Sequence, residues 1–450
     1  MKNKDSIFCA YDIRGVYGKD LTNEIAGYIP ASFLSIAPTT KVIIGRDARE
    51  SSPKLMSILS EKFISYGVTV IDIGTVSTDM FYFACGSKKL PGIMITASHN
   101  PKEYNGFKLV KKLPHLISKD SGLEKIEKGV EDKLLLDTKD SAEIERENIM
   151  NSYIEKLFEI VKKESIKPLK VVVDAGNGMT GQIWTNLVKD IPIDLIPLYF
   201  EPDGSFPNHG PNPAKEINRK DIEDRVKKEG ADVGFIFDAD GDRCIMIDEM
   251  GNTVSADFSI ALIAKEMIKQ SKEKQKILYT VNTSQVVRDT VNAEGHEGIR
   301  ERVGHPIIKT TMQKKNIIFG GEVSGHYYFK DFYFSDSGAL AALIMLQVLS
   351  QEKKKLSDLV KEISSGYHIT GEINFSTKES DSLIKELKSA FKDGKQDTLD
   401  GFSVEYPDWH ANIRKSNTGE SVVRLSIEAK TETLLKEKKS DIVKIINKYI

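Results

Sequence analysis

Three aspartates stand at alternate positions in Asp238-Ala239-Asp240-Gly241-Asp242-Arg243. On an extended backbone, alternate side chains share one direction. Three carboxylates so placed repel and push one another's pKa values up. A hard divalent cation relieves the repulsion, and an all-oxygen ligand set favours magnesium, calcium or manganese over zinc. A calcium EF-hand loop shares Asp238, Asp240, Asp242 and Glu249, but its sixth position needs glycine and here is Arg243. A second cluster is Thr96-Ala97-Ser98-His99-Asn100-Pro101. Ser98 offers a hydroxyl nucleophile with His99 beside it. Sequence neighbours rarely face each other, so His99 reads as a poor base for Ser98. Downstream, Lys108 can neutralise phosphate charge or, desolvated, move a proton. A third cluster is Gly320-Gly321-Glu322-Val323-Ser324-Gly325-His326. Glu322 and Ser324 alternate, and a carboxylate and a hydroxyl flanked by glycines suit the vicinal hydroxyls of a sugar. The fourth, Arg414-Lys415-Ser416-Asn417-Thr418-Gly419, places an arginine, hydroxyls and backbone N–H groups near a glycine. That is an anion cradle. Taken singly, each of the last three is equally an ordinary polar turn.

Elements that can hold such loops are legible on either side. Lys41-Val42-Ile43-Ile44-Gly45 is a strand, Pro53 to Tyr66 a helix, and Val68 to Ile73 and Gly92 to Thr96 further strands. This alternation predicts α/β layers built on mostly buried strands. The serine cluster follows one of these strands, where open α/β sheets place ligands. The aspartates lie between the buried strands Val233 to Phe237 and Cys244 to Ile247. The pattern restarts at Lys170-Val171-Val172-Val173 and at Lys276-Ile277-Leu278-Tyr279, which resemble the strand at Lys41 and suggest a weak internal repeat. Beyond Gly366 the texture changes to alternating strands such as Val422 to Ala429 between lysine-rich helices, a small α+β unit.

The 450 residues are too many for one ordinary core and predict three or four domains. With 40% hydrophobic and 29% charged residues the chain is globular, and a net charge of -2 gives no reason to expect nucleic acid or a membrane as partner. Three scattered cysteines, Cys9, Cys85 and Cys244, fit a reducing compartment rather than a disulfide framework. The first residues lack the apolar core of a signal peptide. The longest apolar run, Ala339 to Leu349, is broken at Gln347 and too short to span a membrane. A cytoplasmic location is expected; monomer and dimer both remain open.

Taken together, in this order and spacing, the four loops resemble the α-D-phosphohexomutase superfamily, from Tyr11-Asp12-Ile13-Arg14-Gly15 to Ser426. The Ser416-Asn417-Thr418-Gly419 loop after Gly-Glu-Val-Ser-Gly-His looks most like its bacterial phosphomannomutase/phosphoglucomutase branch. Val323 stands where that branch usually has methionine and the phosphoglucosamine branch glutamine. The resemblance implies an α/β fold of four domains around a central cleft. Three would be related mixed α/β sandwich domains (1–149, 150–251, 252–365), followed by a C-terminal α+β domain (366–450) that swings over substrate. It implies magnesium held by Asp238, Asp240, Asp242 and a phosphoserine at Ser98, with Arg243 beside the metal loop. It further implies Lys108 as an acid/base candidate assisted by Arg14, Tyr11 and His326. Glu322 and Ser324 would bind sugar hydroxyls, and Arg414, Ser416, Asn417 and Thr418 the non-reacting phosphate. His99 and His305 would be further substrate contacts. Where some members carry a substrate-contacting lysine, this chain has Asn282, with Lys309 or Arg288 as possible compensation.

The activity implied is reversible interconversion of hexose 1-phosphate and hexose 6-phosphate, of mannose or glucose, with a hexose 1,6-bisphosphate as intermediate and activator. Glucosamine phosphate is the alternative substrate. Two rivals are a sugar phosphatase with an aspartate nucleophile and a non-catalytic sugar-phosphate binder. The first lacks the threonine or serine that usually follows an Asp-x-Asp nucleophile; the second rests on Asn282 alone.

Overall fold

The computed structural model describes residues 6–139, 142–269, 271–416 and 421–450. Four sheets follow one another along the chain, and the first three are built alike. In the first, Lys41–Arg46 lies parallel to Thr69–Thr75 on one side and to Gly92–Ile95 on the other. Tyr104–Lys112 then turns back antiparallel on Gly92–Ile95. The second repeats this with Leu169–Asp174 parallel to Ile193–Leu198 and to Val233–Phe237, and Cys244–Ile247 antiparallel. The third repeats it with Lys276–Thr280, Glu297–Glu301, Phe319–Gly321 and the antiparallel Tyr327–Phe329. The three lysine-led strands that suggested a repeat thus hold the same place in three equivalent sheets, each with a parallel partner on both sides.

These central strands bury both faces. Val171, Val172, Val173, Phe235 and Ile236 are wholly inaccessible, as parallel strands covered by helices require. A continuous apolar core links the first three sheets. Trp184 stacks on Phe235 at 5.8 Å, and the buried helix Gly338–Glu352 contributes Leu340, Leu343 and Leu346. A shared core makes the three units one platform.

The fourth sheet is antiparallel throughout, in the order His368–Ser376, Val422–Ala429, Trp409–Lys415, Phe402–Glu405, Lys395–Asp397. Helices Ser380–Ala390 and Glu432–Ile446 complete it. Its core of Leu383, Trp409, Leu425 and Ile442 is separate from the platform's. Polar contacts seat it on the third unit. Asn282 Nδ2 donates to Glu372 (3.1 Å), Gln285 Nε2 to Glu405 (3.2 Å) and Val303 N–H to Asp400 (3.1 Å). Among the described residues no helix is long and apolar enough to cross a membrane.

Candidate active site

The serine, aspartate and glutamate loops occupy the same place in their three sheets. Each is the turn between the last parallel strand and the antiparallel strand that follows it. The repeat therefore brings all three to one cleft of about 820 Å³, lined also by the fourth sheet.

Ser98 is buried and has φ +51°, a left-handed conformation that a non-glycine residue adopts only under local constraint. The constraint is visible. The Ser98 N–H donates to Thr96 Oγ1 (2.8 Å), and Arg49 Nη2 donates to the carbonyls of Ser98 and Asn100, both at 2.7 Å. Arg49 Nη1 donates to the carbonyls of Pro101 and Tyr104, and its Nε to Asp47. Wholly buried, Arg49 holds the loop from behind. Sequence reasoning missed it; its one signal is a charged Asp47-x-Arg49 pair directly after a buried strand. The left-handed turn also overturns the expectation for His99. Its Nδ1 lies 3.2 Å from Ser98 Oγ, because the turn folds the two neighbouring side chains together. Burial, then the Arg243 and Arg14 charges, hold the His99 imidazole well below its ordinary pKa.

Ser98 Oγ donates to Asp238 Oδ2 at 3.0 Å. Asp238, Asp240 and Asp242 are all buried, and Gly241 at φ +75° makes the turn between them. Asp240 Oδ2 accepts from Thr78 Oγ1 and from Lys108 Nζ, both at 2.6 Å, and Lys108 also pairs with Asp242. Burial, then the neighbouring Asp242 and Asp240 carboxylates, push Asp238 well above the usual carboxylate range. Burial would do the same to Asp240, but Lys108 and Thr78 outweigh it and hold Asp240 below that range. Lys108 is likewise raised against its own desolvation by the two aspartates.

These residues fit a hard cation. One carboxylate oxygen from each aspartate lies within 4.8 Å of the others, and Asp240 Oδ1 and Asp242 Oδ1 are buried with no hydrogen-bond partner among the described residues. Lys108 and Arg243, the latter 3.6 Å from Asp238, leave three clustered carboxylates undercompensated, which a divalent ion would correct.

Around this centre, Arg14 is tied to Asp12 (2.7 Å) and donates to Asn100 Oδ1 (2.6 Å). Arg243 Nε donates to His326 Nε2 (3.0 Å), and the backbones of these two residues pair where the second and third loops meet. His326 Nδ1 is 2.8 Å from Asp336, whose other oxygen is 2.6 Å from Lys309. Glu322 accepts from the Gly304 N–H (3.2 Å) and from the Tyr328 hydroxyl. Tyr11 donates to the Val303 carbonyl and meets His305 edge-on at 5.4 Å. Burial, then Glu322, push the Tyr11 phenol up to about 12; burial keeps His305 well below its ordinary value. Ser324 lines the cleft with these residues.

From the fourth sheet, Arg414 and Arg424 reach the cleft, and Ser416 accepts from Arg424 Nη2 at 3.2 Å. Asn417 and Thr418 lie outside the described residues. Arg424, on the strand after the loop, was not expected; it stands one strand away, facing Glu372 beside Arg414. Neither residue that could compensate for Asn282 reaches the cleft. Lys309 is wholly buried, paired with Asp336 and 3.6 Å above the Tyr82 ring. Arg288 is engaged by Asp289 and Glu405.

Three family models match the chain: phosphoglucomutase/phosphomannomutase α/β/α domain I over residues 5–135, domain II over 151–251 and domain III over 255–367. Phosphomannomutase of Vibrio cholerae is 34% identical, with 98% of each chain covered. That of Methanocaldococcus jannaschii is 35% identical, also with 98% of each covered. A crystal structure of a phosphoglucomutase/phosphomannomutase family protein from Burkholderia thailandensis superimposes with a TM-score of 0.89 at 32% identity, covering 99% of this chain and 98% of that one. The chain belongs to the phosphoglucomutase/phosphomannomutase family of the α-D-phosphohexomutase superfamily, and is an isomerase.

Proposed function

We propose that the protein interconverts hexose 1-phosphate and hexose 6-phosphate, of mannose and of glucose, through a phosphoserine at Ser98. The observation that carries this reading is the 3.0 Å contact between the Ser98 hydroxyl and Asp238, at the edge of a buried carboxylate cluster. A hydroxyl placed there is where a transferable phosphoryl group meets a divalent cation.

Phosphoryl transfer is mostly positioning and charge neutralisation. Asp238, Asp240 and Asp242 would hold magnesium, which supplies Lewis-acid neutralisation of phosphoryl oxygens when bound. Arg14, Lys108 and Arg243 face the remaining phosphoryl charge. The bond from phosphorus to Ser98 Oγ breaks as one forms to the free hydroxyl of the sugar monophosphate. Lys108, kept protonated by its aspartates, is the acid/base candidate: it gives a proton to the departing serine oxygen and regains one from the attacking sugar hydroxyl, assisted by Arg14, Tyr11 and His326. The product, a hexose 1,6-bisphosphate, turns over in the cleft and returns its other phosphate to Ser98. Arg414, Ser416, Asn417 and Thr418 hold the non-reacting phosphate. Glu322 and Ser324 grip sugar hydroxyls, with His99 and His305 lining the path. Domain limits at 149/150, 251/252 and 365/366 belong to the same reading; the first and third fall between sheets, whereas 251/252 cuts off Thr253–Val254, which pairs with Cys244–Ile247 in the second sheet.

Glucose and mannose differ only at C2. If Glu322 and Ser324 grip O3 and O4, they grip what the sugars share, so both should turn over. The test is an assay with mannose 1-phosphate, glucose 1-phosphate and glucosamine 6-phosphate, with magnesium and a trace of hexose 1,6-bisphosphate, beside Ser98→Ala. Turnover of the first two that disappears in the variant is expected. Turnover of the amino sugar alone moves the substrate. An unaffected Ser98→Ala enzyme removes the phosphoserine.

A further inference from the structure

Glu372 sits inside the anion cradle. It lies on His368–Ser376, the strand beside Val422–Ala429, and its two oxygens are shared among three donors. Oε1 accepts from Arg424 Nη1 at 2.8 Å, and Oε2 accepts from Arg414 Nη2 at 2.8 Å and from Asn282 Nδ2 at 3.1 Å. Arg414 is 3% exposed, so its guanidinium is almost fully desolvated, yet its Nε and that of Arg424 have no acceptor among the described residues. Two arginines side by side, each with a buried N–H unused among the described residues, are a site with more donors than Glu372 alone can satisfy. An oxyanion with three acceptor oxygens and about two negative charges matches it better than a carboxylate with one charge.

Resting on the proposed reading of the cleft, we infer that Glu372 is a stand-in for the ligand phosphate. It pairs with Arg414 and Arg424 while the cleft is empty and gives way when a phosphate dianion enters. Its carboxylate is partly solvated at 21% side-chain exposure, so it can pass to water as the phosphate takes over the arginines. Two consequences follow. The arginines stay oriented and charge-balanced between turnovers, which shortens the reorganisation needed to bind. The same displacement breaks the Asn282–Glu372 bond, which ties the fourth domain to the third. Phosphate arrival and release of one interdomain tie are therefore a single event. Asn282, at the position where some relatives place a lysine, serves here as the third donor to the stand-in.

The experiment is titration of inorganic phosphate by calorimetry into the wild-type protein, Glu372→Gln, Asn282→Ala, and the double variant Glu372→Gln/Arg414→Met. The amide keeps the shape of Glu372 without its charge. If Glu372 competes for the cradle, phosphate binds Glu372→Gln about tenfold or more tightly, and Asn282→Ala about two- to threefold more tightly. The gain in Glu372→Gln must vanish in the double variant, which separates the cradle from phosphate bound near Ser98. Unchanged or weaker binding in Glu372→Gln, or weaker binding in Asn282→Ala, overturns the inference and makes Glu372 a fixed support for the arginines. Should Glu372→Gln fail to fold, Asn282→Ala decides alone. Absent hexose phosphate turnover in the wild type would remove the mutase reading while leaving this comparison intact.

Discussion

Lys108 Nζ donates to Asp240 Oδ2 across 2.6 Å and also pairs with Asp242, so a side chain of the first domain closes the carboxylate cluster of the second. The ammonium supplies part of the charge that a divalent ion would supply. Lys108→Met leaves three buried carboxylates with less compensation. The metal-free variant should lose about 3 kcal/mol or more of stability, the cost of breaking a buried pair. Magnesium should restore a larger share of it than in the wild type. The check is the rise in Tm on adding magnesium, expected to be greater in the variant, beside a kcat lowered about 10²- to 10⁴-fold. An equal rise in both proteins would mean that the lysine and the metal do not share the site.

The three chemical loops were legible because their residue types are costly without a purpose. Buried aspartates at alternate positions, and a serine after a fully apolar strand, are such cases. The internal repeat was legible only as three lysine-led strands. Sequence could not show that all three loops are one topological turn, because strand order depends on long-range pairing. It also could not show that Ser98 is left-handed, which is what brings His99 onto the hydroxyl. Arg49 and Arg424 escaped for a related reason: each acts through carbonyls or a carboxylate far along the chain. The fate of Lys309 illustrates the converse. A lysine on a helix reads as a solvated or ligand-facing cation, yet its partner Asp336 and the Tyr82 ring hold it in the core.

Arg49 should be irreplaceable by lysine. All of its nitrogens are engaged, four of its bonds going to carbonyls that shape the serine loop. A lysine has three donors and no planar fork. Arg49→Lys should cost about 3 kcal/mol in chemical denaturation and lower kcat by 10²-fold or more, since misplacement by about 1 Å is that expensive. The KM for hexose phosphate should change little, because Arg49 faces away from the ligand. A variant with normal kcat would show that the loop holds its conformation without the arginine.

Lys309 and Asp336 form a wholly buried pair that also anchors His326 and, through it, Arg243. Lys309→Met or Asp336→Asn alone should destabilise the protein by about 3–5 kcal/mol, because each leaves one charge buried without its partner. The double variant should lose less than the sum, with a coupling of about 2 kcal/mol. Urea denaturation of the four proteins measures it. Strict additivity would mean that the two charges do not sense each other across 2.6 Å.

Glu428 gives the fourth domain a pH-sensitive seat. It accepts from the Gln285 N–H at 3.3 Å, at the start of helix Gln285–Ala293 of the third domain, and its other oxygen is buried without a partner among the described residues. Burial raises its pKa from 4.5 to about 7, with the Asp257 and Asp289 carboxylates adding to the shift. Burial holds the nearby His410 down to about 4, so no ion pair forms between them in the intervening pH range. The sign follows from proton counting. Between about 4.5 and 7 the folded protein keeps a proton on Glu428 that the unfolded chain has lost, so the Glu428 contribution to stability falls as pH rises through this window, opposed by that of His410, and levels off above it. The full penalty is about 3 kcal/mol. Glu428→Gln removes the titration. The variant should match the wild type near pH 4.5 and exceed it by a few degrees in Tm at pH 8. Parallel Tm curves for the two proteins across the whole range would show that Glu428 titrates alike in the folded and unfolded chain.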